Sequence, residues 1–561
     1  MAKQRHQFYT FDAGINYRDQ NLAMNELRSG TYNVYWTGKA LRKRSGYVKR
    51  NAALDISSVW ASGSIIGIEE YYYYHYRSSA TVTEEFDLWT SIDSGGGSTA
   101  DKLVLFYVND LPDSTSESFT LTESSTAHGL SWTDGDPISA VVFVDTVWVT
   151  NGSDNPYIVG GYDTPYSEVP ICSDYNAGGT SVGAEIIDNS TSGETWDGCK
   201  WLGVQDQFIY LSDNKTMFFG IADQDVYPHS EMSSSSAATR IDGVQEAMDS
   251  AWYFSLAPQS RPDGITVYRD YMFLYGQEDI WHLYHRYSDT TKAGYDKQRI
   301  SDKGAWSNLC VTPRAAFWVS YDGIYGYDGV NTINLSKKIW PHIEEQHTTI
   351  PDNLTNTSVA YHDNKVWISF PDSSAKEIFI FEPDHIYQDN LGDQHAPFYL
   401  FTYVDSSDDA IAFYNLKDYD GHLFATNGSQ LYELDTGYTD DGQGIDYEGL
   451  TAYLDFDNPA FKKTYGRLIL EVSPDDASDV GYWAYRDYGE DSEELGEPDV
   501  NYTSDERVFV EMTVPYQIDG NSFSLRFRRI LHTGSVYNTD TWYFYGFSVE
   551  AEVKDYAKKE R

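Results

Sequence analysis

Aromatic and β-branched residues come in short bursts along this chain, and most bursts end in Gly, Asn or Asp. The pattern runs through KLVLFYVND (102–110), AVVFVDTVWVTNGSDNP (140–156), DQFIYLSDNKTMFFG (206–220) and DYMFLYGQEDIWHLY (270–284). It continues in AAFWVSYDGIYGYDG (315–329), DNKVWISFPDSSAKEIFIFEP (363–383) and GHLFATNGSQLYELDT (421–436). Each burst pair reads as strand, polar turn, strand, the signature of a β-hairpin. The units recur roughly every 45–65 residues, the spacing expected when each is one small antiparallel sheet. One such unit cannot bury both of its faces. Stacking them around an axis hides the faces and leaves only short edges. The pattern therefore predicts an all-β fold with a β-propeller of six to eight blades, seven favoured, over residues 51–440. The alternative is a long β-sandwich, whose strands would recur every ~8–12 residues without the longer period.

The end of the chain is patterned differently. In NSFSLRFRRI, Phe523, Leu525 and Phe527 alternate with Ser522, Ser524, Arg526 and Arg528. In YGFSVEAEVK, Phe547, Val549, Ala551 and Val553 alternate with Ser548, Glu550, Glu552 and Lys554. Period-two alternation marks sheets with one wet face, so residues 446–555 are expected to form a C-terminal β-sandwich. The Gly/Asp-rich DTGYTDDGQGIDYEG serves as hinge, and 556–561 is a tail. Helix is expected only over RDQNLAMNELRSG (18–30), closed by Gly30 as a left-handed cap, and SKKIWPHIEEQH (336–347). Residues 1–50 are expected to lead into the first blade.

Composition supports the β reading: 47 Tyr and 15 Trp in 561 residues favour pleated, half-buried surfaces. A net charge of −46 repels nucleic acid over long range and favours solubility. Against that background GKALRKRSGYVKRN (38–51) is anomalous, with Arg42, Lys43, Arg44, Lys49 and Arg50 close together. Because these alternate with Leu41, Gly46, Tyr47 and Val48, the segment reads as turn plus strand rather than a targeting signal. Three sparse cysteines (Cys172, Cys199, Cys310) fit a reducing compartment. No secretory signal follows the start, and no apolar run approaches the ~20 residues of a membrane span. A soluble protein made in a cytoplasm is expected.

Candidate chemistry is thin. His342 and His347 lie five apart, not the four that would put both on one helix face as zinc ligands. His282 and His285 lie three apart in an expected strand, hence on opposite faces. TSGETWDG (191–198) matches half of a sialidase Asp box, but Thr191 stands where Asp belongs. Asp440, Asp441, Asp446 and Glu448 lack the ligand spacing of a calcium loop, and turn chemistry accounts for them. No nucleophile elbow, phosphate loop or dinucleotide fingerprint is present. The expectation is no catalytic residue, no cofactor and no metal site.

Several stretches together resemble the tail nozzle, hub and stabilisation proteins (tail tubular protein B-like) of short-tailed bacteriophages. These are Gly14-Ile15-Asn16, Asn33-Val34 and the turn from Gly38 through Leu41, Arg42, Lys43, Arg44, Ser45, Gly46 and Tyr47. WVTNGSDNPYIV, SYDGIYGYDGVNTINLS, HDNKVWISFP and the stretch from LYELDTGYTDD to Lys462-Lys463 follow in the same order. Ser45 replaces a frequent Pro. The resemblance implies a non-enzymatic virion protein: a propeller assembling as a homo-oligomeric ring, a hexamer favoured, below the portal and adaptor. DNA would pass through its lumen during ejection without specific binding, and no membrane is involved. The same resemblance makes Arg42, Lys43, Arg44, Gly46 and Tyr47 candidate assembly residues, anchoring against the acidic body or an adjacent subunit rather than DNA. A glycan-binding or glycan-cleaving propeller acting as a receptor-binding tail component is the alternative, and a cytoplasmic peptide-binding scaffold propeller the third reading.

Overall fold

A computed structural model describes residues 4–18, 22–50, 64–76, 82–93, 139–143, 146–150, 157–159, 185–186, 201–205, 208–212, 216–222, 252–255, 263–268, 271–286 and 294–346. It also describes 354–553 apart from 355, 375, 390–391, 420, 429, 457–460, 474–479, 488–491, 497–506, 515–518 and 530–541. The described residues are nearly all β, in many antiparallel sheets, as the burst pattern predicts. The bursts at 102–110 and the Asp-box half-match at 191–198 lie outside the described residues. Elsewhere the hairpins fall where the turns predict them, for example Ala316–Ser320 with Gly323–Tyr327 and Lys365–Phe370 with Glu377–Phe381. At the tip joining Ser358–His362 to Lys365–Phe370, Asp363 and Asn364 take φ of 46° and 60°. Paired left-handed residues of this kind match the twist of the flanking strands, and Asn and Asp tolerate them best.

Four N-terminal strands organise the rest: β1 (Gln4–Phe8), β2 (Val34–Trp36), β3 (Leu41–Lys43) and β4 (Tyr47–Lys49). The successive sheets then begin with β5 (Ser64–Tyr76), β6 (Ser139–Phe143), β7 (Trp201–Gln205), β8 (Gly264–Tyr268), β9 (Cys310–Val311), β10 (Ser358–His362) and β11 (Tyr414–Tyr419). The sheets beginning with β6, β7, β8, β9 and β10 each have four strands. The sheet beginning with β11 takes its fourth strand from the other end of the chain: β4 pairs antiparallel with β12 (Gln430–Leu434), Val48 opposite Glu433. Each of these first strands touches the first strand of the next sheet, and β11 touches β5.

The second body mixes both ends of the chain. Its strands include β13 (Lys463–Val472), β14 (Val508–Thr513), β15 (Phe523–Arg529) and β16 (Tyr543–Val553). One sheet runs β2-β3-β16-β13-β14, with β1 also on β16. The other carries β15 between Glu448–Leu450 and Val480–Arg486. The two sheets meet through Tyr465 against Phe523 (5.1 Å between ring centres) and Phe527 against Phe544 (4.9 Å). Phe523, Leu525, Phe527 and Val549 are fully buried, as their alternation predicts.

Three expectations change. Residues 1–50 do not simply lead into a first sheet: β1 and β3 pair with the C-terminal strand β16, β2 pairs with β3, and only β4 joins the sheet of β11. Residues 22–30 are turns and a two-residue strand rather than a helix. Leu27 and Arg28 pair in parallel with Ile15 and Asn16, while buried Glu26 accepts from Asn16 Nδ2, the Ala23 N–H and Lys338 Nζ. The local bond to the Ala23 N–H competes with a helix, and the distant bonds to Asn16 and Lys338 fix the alternative. The helix expected at 336–347 is α1, Trp340–Gln346, beginning four residues later.

Candidate functional site

The basic segment forms the junction between the two bodies. Leaving β3, the chain turns through Arg44, Ser45 and Gly46 into β4, so one short segment passes from one sheet system to the other. Gly46 lies so close to Thr439 that a Cβ would collide with its carbonyl. Its N–H donates to Gly437 (3.2 Å) and its carbonyl accepts from the Thr436 N–H (3.2 Å).

Arg44 points inward with 1% exposure. Its Nε donates to Asn33 Oδ1 (2.9 Å), Nη1 to the Ser45 carbonyl (2.9 Å) and Asp440 Oδ1 (2.7 Å). Nη2 donates to the Thr402 carbonyl and to Asp440 Oδ2, both at 2.5 Å. The guanidinium also lies 3.8 Å from the centre of the Tyr403 ring. Burial works most strongly against its charge, but Asp440, Tyr403 and Tyr47 together more than offset it and hold the guanidinium above its ordinary pKa. Asn33, held at φ 59°, returns the favour to the backbone by accepting the Thr402 N–H (2.8 Å).

The other candidate residues are placed as follows. Tyr47 is buried among Tyr403, Phe413 and Tyr432, donates its hydroxyl to the Val404 carbonyl (2.8 Å), and has its pKa raised by burial and then by Asp440. Lys43 is buried, and Arg42 donates to the Tyr35 hydroxyl (3.3 Å) beside the Tyr543 ring. Arg50 pairs with Glu433, which also takes His422 Nδ1 at 2.6 Å. Lys43, Arg44, Gly46 and Tyr47 are therefore brought together among the buried residues of this chain, with Arg44 held by Asp440.

Three of the four acids weighed as calcium ligands are engaged here, and Asp441 is exposed. Asp440 holds Arg44, Asp446 accepts from Tyr32 (2.7 Å) and Arg528 (3.2 Å), and Glu448 accepts from Arg526 (2.7 Å). The contribution of Asp440 and Tyr403 was not legible beforehand, because nothing local in sequence links them to Arg44. His342 meets Glu377 at 2.7 Å and stacks on Tyr17 at 4.1 Å, while His347 lies outside the described residues. His282 is buried and stacks on Phe273 at 5.0 Å. Burial lowers its pKa to about 4.

One group with ligand chemistry escaped the sequence reading. Asp389, Asp393 and His395, on the hairpin between Tyr387–Gln388 and Gln394–His395, bring potential ligand atoms within 4.8 Å of one another. Lys337 Nζ already sits 2.7 Å from Asp393, and His395 Nε2 lies 3.1 Å from Asp389. Beside this hairpin opens a cleft of about 300 Å³, lined by Arg314, Asp328, Tyr387, Gln388 and Gln394 among others.

No family model matches the chain, and no curated protein matches it. Among solved structures, the computationally designed Ika8 protein is similar at 9% identity, covering 74% of this chain and 99% of that one, with a TM-score of 0.32. The N-terminal domain of Nup159 is similar at 9% identity over 53% of this chain and 88% of that one (TM-score 0.27). The Trypanosoma rangeli sialidase is similar at 8% identity over 98% and 95% (TM-score 0.28). Likenesses at this level assign neither fold nor activity.

Proposed function

We propose that this chain is a structural subunit of a short-tailed phage tail, a hub or nozzle protein that assembles as a ring below portal and adaptor. In this reading the sheets beginning with β5 to β11 are seven propeller blades, and β4 closes the last of them. The remaining two sheets form a β-sandwich made from both ends of the chain. The observation carrying the proposal is that the Gly38–Tyr47 turn, which bears the resemblance to such proteins, is the segment on which both bodies hang. The acidic balance fits as well: a lumen rich in carboxylates lets DNA slide past without adhering.

The test is assembly of the purified full chain. Negative-stain images and native mass at low salt should give closed rings, six-fold by preference, and the protein should be found in purified virions. A strict monomer at tens of micromolar, absent from virions, would overturn the reading. Retention of duplex DNA at moderate salt would overturn the sliding rationale alone. The cleft beside Gln388 and Gln394, which sets planar polar groups next to an aromatic ring, favours glycan binding as the second reading. Binding to host polysaccharide lost on Gln394→Ala would support it.

A further inference from the structure

The cleft beside the hairpin of Tyr387–Gln388 and Gln394–His395 lies where two successive sheets meet. One wall is Ala315 and Phe317, at the start of the strand Ala316–Ser320 in the sheet begun by β9. The other is Pro383, Ile386 and Tyr387, in the segment that follows Glu377–Phe381 of the sheet begun by β10. Its volume of about 300 Å³ stands at the low end of small-ligand sites. It suits the end of a chain rather than an extended segment.

The polar groups on its rim differ in what the protein leaves them to do. Arg314 Nε lies 2.8 Å from Asp384 Oδ1, so its charge is already matched. Asp328 Oδ1 accepts from the Val330 and Asn331 N–H groups at 2.8 and 2.7 Å, and among the described residues no cation pairs with this carboxylate. Gln388 donates its amide N–H to the Gly392 carbonyl (2.8 Å), which leaves its oxygen without a protein partner among the described residues. Gln394 is exposed, with its amide uncommitted among the described residues. The free groups are thus mainly acceptors. Asp328 and Asp384 against Arg314 leave the rim negative by one charge.

An occupant must bring hydrogen-bond donors to these oxygens and an apolar face to Ala315, Pro383 and Ile386. It must also carry no negative charge, because an added anion meets an uncompensated carboxylate. A sugar ring meets the first two demands, with hydroxyls around its rim and C–H groups on its faces. A uronic or phosphorylated sugar fails the third. A peptide gains its adhesion from main-chain bonding along a sheet edge, and none of the free groups here is main chain.

We propose that this cleft binds the end of an uncharged glycan, its hydroxyls on Asp328, Gln388 and Gln394 and its apolar face against Pro383 and Ile386. This rests on the glycan reading of the cleft and narrows it to neutral sugars, and it is independent of ring assembly.

The experiment is titration calorimetry on the full chain, with neutral gluco-, manno- and galacto-trisaccharides, trigalacturonate and trialanine as probes. At least one neutral trisaccharide should bind, about tenfold or more tighter than trigalacturonate, and trialanine should not. Gln394→Ala should weaken the neutral sugar about fivefold without moving thermal unfolding. Asp328→Asn keeps an oxygen for the turn and removes the charge, so the preference over trigalacturonate should shrink to about threefold or less. Trigalacturonate bound as tightly as the neutral sugars, and lost in Gln394→Ala, would overturn the neutral class and leave the glycan reading standing. An unchanged preference in Asp328→Asn, or sugar binding indifferent to Gln394→Ala, would overturn this assignment of the cleft. If no sugar binds, or trialanine binds in their place, both fall.

Discussion

A guanidinium enclosed by protein is tolerable when each of its five N–H donors meets an acceptor, and Arg44 satisfies that condition through Asn33, Ser45, Thr402 and both oxygens of Asp440. Removing one partner leaves the other charge buried and uncompensated. Asp440→Asn should lower stability by about 3–5 kcal/mol, read as an earlier denaturant midpoint. Arg44→Lys should fare little better, because an ammonium cannot reproduce the planar fork. Joint replacement by Met and Leu should cost much less than either single change. A second residue-scale expectation concerns pH. His282 has a folded pKa near 4, below its ordinary 6.5. The unfolded chain therefore binds the extra proton first, so this residue's contribution is complete above pH 6.5 and declines as pH falls toward 4. Its size is at most about 3 kcal/mol. In His282→Phe the difference in melting temperature between pH 7 and pH 5 should shrink. An unchanged difference would place the acid sensitivity on carboxylates instead. Sequence made the Gly38–Tyr47 cluster conspicuous but left open whether it anchors on the acidic body or on a neighbouring subunit, since the counter-ion Asp440 lies 396 residues away. A charge cluster advertises itself locally, whereas burial is a property of what folds over it.

Among elements, hairpins were legible and long-range partners were not. Tips such as Asp363-Asn364 announce themselves because few residues accept positive φ, and alternation in Phe523–Arg529 gives the buried face directly. The misread segment at 18–30 shows the limit. Its spacing suits a helix, but Glu26 finds Lys338 and Asn16, and Leu27 is buried beside Gly14–Ile15. Likewise, nothing in β1 states that its neighbour is β16. That pairing is testable by truncation. Removing residues 1–9 should expose the Phe547–Ala551 side of β16 and speed amide exchange over Tyr543–Val553. Exchange over Leu423–Leu434 should stay slow, because β4 remains in place. Equal loss in both regions would mean that the two bodies unfold as one unit.

For the whole molecule, 86 acidic residues against 40 basic ones make self-repulsion a standing cost of compactness. Raising ionic strength from about 0.02 to 0.2 M shortens the screening length severalfold, and the monomer's melting temperature should rise. A fall would show that local pairs such as Lys338–Glu26 outweigh the global repulsion.

The partnership of β1 with β16 also sets a schedule. These strands stand 541 positions apart where Gln7 faces Ser548, and hydrogen bonding cannot begin until both exist. At ribosomal speeds of about 5–20 residues per second, the first strand waits roughly half a minute to two minutes for its mate. During that interval the basic N-terminal segment is unprotected, and the sheet of β11 acquires β4 before the sheet of β16 can acquire β1. Maturation therefore ends within the second body, where β16 meets β1 and β3, so a chain interrupted late in synthesis would carry finished hairpins and an open seam.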